Sequence, residues 1–208
     1  TPSTTVKHLA KKDIHNLVLA MPPVDEQVKI SEILSAVDEA IEKTEDITAT
    51  MKRVRRGVLH ELLTFGIGHT RFKQTTLGNI PEAWDVKQFK EVLTIAYGKS
   101  QKGVEVEESD IPILGTGGII GWSKEAMYDK PSVLIGRKGT INKPQYMASP
   151  FWTIDTLFYT KINQGLVIPK FIYYVFQTIN WLRYNEATGV PSLSAANIST
   201  IRFAKPSI

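Results

Sequence analysis

The chain has 208 residues, of which 42% are hydrophobic and 22% are charged, and its formal net charge at pH 7 is +4. This composition is typical of an ordinary globular chain of one or two domains. No apolar run reaches the length that a membrane-spanning helix needs. The absence of Cys excludes disulfides and thiolate metal sites, and we expect a cytoplasmic protein. The small positive charge mildly favours an anionic partner.

A similar phrase occurs near each end of the chain. The first copy runs from Val6 to Pro23 and the second from Val190 to Ser207, and they align without a gap. Each copy predicts a polar turn, a short helical turn capped by Asp13 or Asn197, an alternating strand and a final Pro. Such a repeat indicates a modular protein with two related halves. The alternative is a coincidence among residues that are common in strands.

A long helical segment follows the first copy. Asp25 is a candidate N-cap, and no Gly or Pro interrupts the chain from there until Gly57. Apolar residues recur every seven positions, which predicts a coiled-coil helix from Asp25 to Leu63, roughly 60 Å long. One small domain cannot cover a stripe of that length, so the helix needs a partner helix. The residues that we expect to pair are Ile30, Ile33, Leu34, Val37, Ile41, Ile47, Met51, Val54, Val58 and Leu62.

A second domain is predicted after two helix-breaking glycines, Gly66 and Gly68. Strands are predicted at 84–86, 92–96, 112–114, 132–135, 145–147 and 156–160. One amphipathic helix is predicted from Pro169 to about Tyr184. Its apolar side comprises Phe171, Ile172, Val175, Phe176, Ile179 and Leu182. The fold class that we expect is α+β: a β-rich mixed domain with short helices, attached to a long coiled-coil-like helix.

Gly-rich loops lie between the predicted strands, but they do not match nucleotide-binding motifs. The run from Gly98 to Ser100 ends like a P-loop, whose first glycine would then fall at Leu93. All four His precede the first predicted strand, so the second domain has no imidazole for a His-dependent triad or a zinc site. The sequence also has no acidic-Pro-Pro-aromatic methyltransferase loop and no convincing nuclease cluster of Asp, Glu and Lys, so we predict no catalytic residue and no metal site in the chain. We expect Asp155 to cap a turn. The loops do offer backbone N–H groups, hydroxyls and cations, which contact the phosphates and base edges of nucleic acid.

Seven phrases, in this order along the chain, resemble the specificity subunit of type I restriction-modification systems. They are LAMPPVDEQ at 19–27, ISEILSAVDEAI at 30–41, LGNIPEAW at 77–84, IPILGTGGIIGW at 111–122, VLIGRKGT at 133–140, PFWTID at 150–155 and TGVPSL at 188–193. The resemblance covers nearly the whole chain, and it depends on the order and spacing of the phrases. In this family each target recognition domain is followed by a conserved helix, and a full subunit has two of each.

The resemblance implies a domain organisation. It implies that 1–23 is the C-terminal tail of a preceding recognition-domain repeat, that 24–66 is the conserved spacer and dimerisation helix, and that 67–208 is the DNA target recognition domain. The chain lacks a second helix and begins without Met, so we expect a fragment, a proteolysed product or a half-subunit that dimerises. A homodimer predicts a palindromic split DNA target, whereas a two-domain subunit predicts an asymmetric one.

The resemblance also implies partners and a division of labour. The chain is expected to be a non-catalytic, sequence-specific subunit that directs adenine methylation and cleavage by partner subunits at a bipartite site. Its expected partners are double-stranded DNA, modification (methyltransferase) subunits, a restriction/translocase subunit and a second conserved helix, with no membrane. No cofactor is expected in this chain, whereas S-adenosylmethionine, ATP and Mg are expected on the partner subunits.

The residues that we predict to contact DNA lie on the loops of the second domain. They are Lys99, Ser100, Lys102, Thr116, Arg137, Lys138, Thr140, Asn142 and Lys143. Arg137 is the first candidate for a base contact because its planar fork can pair bidentately with guanine, whereas lysines contact phosphates. The alternative for each is a solvated loop residue, and Thr188 and Ser192 could simply hold a structural turn.

Two other classes of function stay open from the sequence. One is a self-contained nucleic-acid-modifying enzyme, which an activity of the isolated chain would favour. The other is a coiled-coil assembly module without its own DNA readout, which partner binding in the absence of DNA affinity would favour.

Overall fold

The computed structural model describes residues 14 and 17–207. The chain divides into two compact units, one extending to Val54 and the other beginning at Arg55. The element order is a long helix, then a β-rich region with short helices, which confirms the α+β class. Of the helices in the described part of the chain, none combines the length and the apolar character of a membrane span.

Helix α1 spans Val24–Thr64 and carries an apolar stripe with no cover in the described residues. All of the predicted pairing residues are exposed, which agrees with a coiled-coil helix. The predicted N-cap at Asp25 is wrong, because the N–H of Gln27 donates to the carbonyl of Pro23 and Asp25 lies within the first turn. The helix ends where predicted, and Gly66 follows it in the left-handed region at φ 68°.

The last part of α1 belongs to the second unit and contacts it directly. Arg55 donates a side-chain hydrogen bond to Gln177. Leu63 packs against the buried core. These contacts attach the end of the helix to the β-rich domain.

The strands of the second unit form four sheets within the described residues. The strands are β1 (Phe72–Thr75), β2 (Gly78–Pro81), β3 (Asp85–Gln88), β4 (Leu93–Tyr97), β5 (Glu105–Val106), β6 (Pro112–Gly115), β7 (Gly118–Ser123), β8 (Ser132–Gly136), β9 (Gln145–Met147), β10 (Trp152–Thr153), β11 (Leu157–Ile162) and β12 (Arg202–Lys205). One antiparallel sheet has the order β4-β11-β8-β9, and a mixed sheet has the order β10-β6-β7-β5. The remaining sheets are the pairs β1-β2 and β12-β3.

The core lies on both faces of the central strand β8. Val133 and Ile135 point into the larger apolar cluster, which includes Phe176, whereas Leu134 points into a smaller cluster with Phe151. Successive side chains of a strand alternate between the two faces, so a strand covered on both faces reads as a continuous apolar run. The sheet is therefore a rigid base for the loops at its ends.

Helix α2 spans Pro169–Thr178 and is shorter than predicted. The chain becomes extended at Ile179 and then forms a 3₁₀ helix at Trp181–Tyr184. The Trp181 indole N–H donates to a carbonyl in the last turn of α2, and its ring is buried. The predicted apolar-face residue Leu182 is 58% exposed, because the break in the helix turns it away from the core.

The second copy of the repeated phrase forms helix α3 (Ala195–Thr200) followed by β12. The predicted cap at Asn197 is wrong, because the hydroxyl of Ser194 accepts a hydrogen bond from the N–H of Asn197 and caps the helix three residues earlier. In the first copy, the turn predicted at Asp13 lies outside the described residues. The strand predicted in the first copy does not form at 17–23. In the second copy β12 pairs with β3, whereas no described strand pairs with residues 17–23.

Candidate nucleic-acid interface

The sheet topology brings several predicted site residues to one edge. Strands β4 and β8 both run antiparallel to β11, so they run parallel to each other and end at the same edge. Tyr97 is the last residue of β4, and Arg137 directly follows β8. Phe158 of β11 is the register partner of Tyr97 on one side and of Ile135 on the other. The loops that leave β4 and β8 therefore begin close together.

The loop after β4 is fixed to the segment that precedes β11. The Lys99 N–H donates to the carbonyl of Thr153 at 2.9 Å, and the Lys99 carbonyl accepts from the Trp152 indole N–H at 3.2 Å. A Cβ on Gly98 would lie 1.9 Å from the carbonyl oxygen of Ile154, so a side chain has no space there. The Lys99 side chain is exposed on a fixed backbone.

The loop after β8 is held from two sides. The N–H groups of Arg137 and Lys138 both donate to the carbonyl of Thr156, at 2.8 and 3.2 Å. The N–H of Gly139, at φ 83°, donates to the carbonyl of Pro191 at 2.9 Å. This loop is therefore held between the turn before β11 and the loop at 188–192. Ser192 takes part in that structural turn, since Lys138 and Ser192 form a β-bridge, as one of the sequence interpretations expected.

The side chain of Arg137 is held above an aromatic ring. Its guanidinium carbon lies 5.4 Å from the centre of the Tyr97 ring. Its Nη1 donates to the main-chain carbonyl of Asp155 at 3.2 Å. Asp155 lies in the turn, as predicted, but it accepts this hydrogen bond through its main-chain carbonyl, and no described hydrogen bond involves its carboxylate. Arg137 is thus held by two contacts that leave its charge unpaired.

The hairpin that carries Thr116 reaches the same edge through the second sheet. Strands β6 and β10 are parallel, so the turn after β6 lies near Ile154, whose N–H donates to the carbonyl of Leu114 at 3.1 Å. The Gln145 side chain donates to the carbonyl of Gly115 at 2.8 Å and ties the hairpin to β9. Thr116 is half-buried at the tip.

The other predicted site residues occupy the same loops with fewer contacts. Ser100 accepts a hydrogen bond from the N–H of Lys102 at 3.3 Å, and the backbone of Thr140 packs against Gly136. Asn142 and Lys143 are exposed, and no described hydrogen bond joins them to the other loops. We call loops 98–103, 115–118, 137–143 and 154–156 the loop edge. DNA contact by its residues stays a prediction.

The loop edge is positively charged. Its cations are Lys99, Lys102, Arg137, Lys138 and Lys143, and its one acid is Asp155. No ion pair within residues 17–207 involves any of these cations. The same part of the chain contains no group of three or more His, Cys, Asp or Glu placed to hold a metal ion. The arrangement presents unpaired cations and loop hydroxyls, and the backbones of Lys99, Arg137 and Lys138 are hydrogen-bonded to neighbouring segments.

Three residues that contact the loop edge were missed by the sequence interpretation: Tyr97, Gln145 and Trp152. An aromatic residue at the end of a strand, directly before Gly98, was a signal for Tyr97 that the pattern did offer. The Gln145 and Trp152 contacts join segments that are distant in the chain, and no local pattern indicates them.

Comparison with known proteins identifies the family. The family model for the type I restriction modification DNA specificity domain matches residues 1–53 and 81–208. The chain belongs to this specificity-domain family. Its relatives include the MjaVIII specificity subunit of Methanocaldococcus jannaschii, 34% identical over 115 residues, and the EcoBI specificity subunit of Escherichia coli, 29% identical over 124 residues. These matches cover 55% and 52% of the chain but only 27% and 26% of the relatives.

Solved structures from type I restriction-modification systems share the fold. The HsdS subunit from Thermoanaerobacter tengcongensis matches 99% of this specificity-domain chain at 14% identity with a TM-score of 0.54. A chain from a structure concerned with complex assembly and conformational transition of the type I R-M system matches 99% at 15% identity with a TM-score of 0.59. The chain covers 53% and 54% of those two chains, so it spans about half the length of each.

Proposed function

We propose that the β-rich domain is a target recognition domain that binds double-stranded DNA sequence-specifically through the loop edge. The observation that carries this proposal is the set of unpaired cations on loops whose backbones are hydrogen-bonded to one another. Cations contact phosphates and set the position of a protein on DNA, and side-chain donors and acceptors read base edges. Because the loop backbones are fixed, little ordering of the protein is needed on binding.

We further propose that helix α1 is the spacer and pairing element, within the organisation 1–23, 24–66 and 67–208 described above. Its exposed stripe supports this role, since an uncovered apolar helix face is stabilised by a second helix. The partner is the conserved helix of a second copy or of another half of the subunit. The separation of two recognition domains would then set the spacing of a split DNA site, palindromic for a homodimer and asymmetric otherwise.

In this proposal other subunits catalyse the methylation and the cleavage of DNA. Modification subunits carry S-adenosylmethionine and methylate adenine, and a restriction/translocase subunit uses ATP and Mg for movement and cleavage. This chain contributes recognition in the cytoplasm and no catalytic group. Family membership supports this division, because the matching domain is a DNA specificity domain.

Selection from a randomised duplex library tests the proposal. The chain is assayed alone and with its modification subunit, at about 50 and 200 mM salt, since contacts with phosphates weaken steeply over that range. We expect a split motif whose enrichment survives at the higher salt. Replacing Lys99 and Lys138 by Ala is expected to weaken binding, whereas replacing Lys73 and Lys87, which lie on β1 and β3, is the matched control.

The other two functions have distinct outcomes in the same assay. Weak binding without any enriched motif, together with intact binding to the modification subunit, would identify an assembly module and overturn the DNA-reading role. Methyl transfer or strand cleavage by the isolated chain would identify a self-contained enzyme.

A further inference from the structure

The Arg137 side chain is supported by a series of packed rings. Phe158 is fully buried in the larger core cluster. The ring of Tyr97 packs edge-on against it, with ring centres 5.0 Å apart. The guanidinium of Arg137 lies over the Tyr97 ring and donates through Nη1 to the Asp155 carbonyl. The core therefore fixes the position of the guanidinium, unlike that of a free surface arginine.

One edge of that guanidinium is available to a ligand. The hydrogen bond to Asp155 uses Nη1, and no described residue accepts a hydrogen bond from Nε or Nη2 of Arg137. No described carboxylate lies within ion-pair distance of it. The Nε–Nη2 edge presents two parallel N–H donors, the arrangement that pairs with two adjacent acceptors.

We infer that Arg137 reads a guanine in the half-site bound by this domain, and that Tyr97 is its positioning residue; this inference rests on the proposed DNA-binding function. In the major groove guanine presents two adjacent acceptors, O6 and N7. Adenine replaces one of them with the N6 donor, which opposes an arginine N–H, and cytosine presents a donor. Lys138, exposed on the same loop, is a compact charge suited to a phosphate.

Substitution of single atoms in the DNA tests this assignment on the unmodified protein. After selection of the half-site, each guanine is replaced in turn by 7-deazaguanine, which lacks the N7 acceptor. We expect one position at which this change weakens binding by roughly tenfold, since a bidentate pair is worth roughly 5- to 150-fold in discrimination. This measurement does not depend on the folding of a variant.

The protein variants identify the residue that faces that position. Arg137→Ala is expected to bind the guanine and 7-deazaguanine duplexes equally, and Arg137→Lys to retain charge but lose most of the discrimination. Arg71→Ala is the matched control, since Arg71 is exposed and pairs with Glu82 next to the β1-β2 hairpin. It is expected to leave the discrimination unchanged.

Tyr97 is tested by a pair of substitutions. Tyr97→Phe keeps the ring and is expected to keep the guanine preference, whereas Tyr97→Leu removes the ring under the guanidinium and is expected to reduce the preference several-fold. Circular dichroism and thermal melting show whether each variant is folded.

The outcomes separate the inference from the function on which it rests. An enriched half-site without guanine, or 7-deazaguanine effects that are equal in the wild type and Arg137→Ala, would overturn the guanine assignment and leave DNA recognition intact. If no motif is enriched at all, the proposed function fails, and the guanine assignment with it.

Discussion

Two glycines determine how closely the segments of the loop edge approach one another. A Cβ on Gly98 would lie 1.9 Å from the carbonyl oxygen of Ile154, and a Cβ on Gly136 would lie 2.1 Å from the carbonyl oxygen of Thr140. Both obstacles are backbone atoms, which cannot rotate away as a flexible side chain would. The absence of a side chain at these positions is thus a condition for the geometry of the proposed site.

We expect Gly98→Ala to destabilise the protein and to weaken DNA binding together. Relief of the clash must move the Lys99 backbone or the segment at 152–156, at a cost of about 2 kcal/mol or more. Thermal melting measures the stability, and equilibrium binding to the selected duplex measures the effect on the loop edge. Gly117→Ala is the matched control, because Gly117 is not in the left-handed region and a Cβ added there would meet no atom within 4 Å. Equal melting temperatures for the two variants would contradict this account.

At the residue scale, the sequence indicated which segments form loops but not which residues of distant segments contact those loops. Arg137 was selected because its planar fork can pair bidentately with guanine, and DNA contact by this residue stays a prediction. Its support by Tyr97 depends on the pairing of β4 and β8 with β11, and residues 97 and 137 are far apart in the chain. Leu182 was misplaced because helical periodicity was extended past Thr178, where the helix in fact ends.

At the element scale, prediction succeeded where an apolar pattern was long. The six predicted strands correspond to β3, β4, β6, β8, β9 and β11. The bounds of β9 are as predicted, the other five differ by one or two residues, and the long helix is confirmed. Strands β5 and β10 have two residues each, too short for an alternating pattern, and β7 is interrupted by glycine. Residues of β7 and β10 are in strands because they pair with β6, and not because of their local sequence.

Helix α1 allows a direct test of pairing. Ile47 is 60% exposed on the apolar stripe, and we expect Ile47→Lys to weaken self-association by roughly tenfold or more, because a charge would be buried between two helices. Light scattering across a concentration series measures the mass. Glu42→Lys introduces the same side chain on the opposite face of the helix and is expected to leave the association unchanged.

A wild-type chain that is monomeric at every concentration would contradict homodimer pairing. In that case a second helix, supplied as a separate polypeptide from the other half of a subunit, should bind the wild type and Glu42→Lys but not Ile47→Lys. Failure of that binding as well would contradict the pairing role of the stripe.

For the molecule as a whole, the distribution of charge matters more than its sum. The net charge of +4 is small, and it indicated an anionic partner only weakly. The fold gathers four lysines and Arg137 on loops of one edge, whereas the acidic residues Glu105, Glu107 and Glu108 lie at and just after β5, the edge strand of the second sheet. The strand pairing places Glu105 beside Ser123, at the opposite end of β7 from the turn at 115–118, although the acidic run closely follows Lys102 in the sequence.

The gathered charge predicts a specific salt dependence. If Lys99, Lys102, Lys138 and Lys143 each neutralise one phosphate, a plot of log affinity against log salt should have a slope of about −3.6 per recognition domain. Lys138→Ala should reduce the magnitude of that slope by about 1 and leave the base preference unchanged. Lys87→Ala is the control, since Lys87 pairs with Glu91 and lies outside the loop edge.

Arg137→Ala is expected to show the opposite behaviour: base preference is lost while the salt slope stays nearly constant, because a base contact releases no phosphate counterion. Fluorescence anisotropy at four or more salt concentrations, with the selected duplex and with one altered at the guanine, measures both quantities for each variant. A slope that falls equally in Arg137→Ala and Lys138→Ala would mean that both residues contact phosphates. Sequence readout would then have to come from the uncharged polar side chains of the same loops, such as Thr116, Thr140 or Asn142.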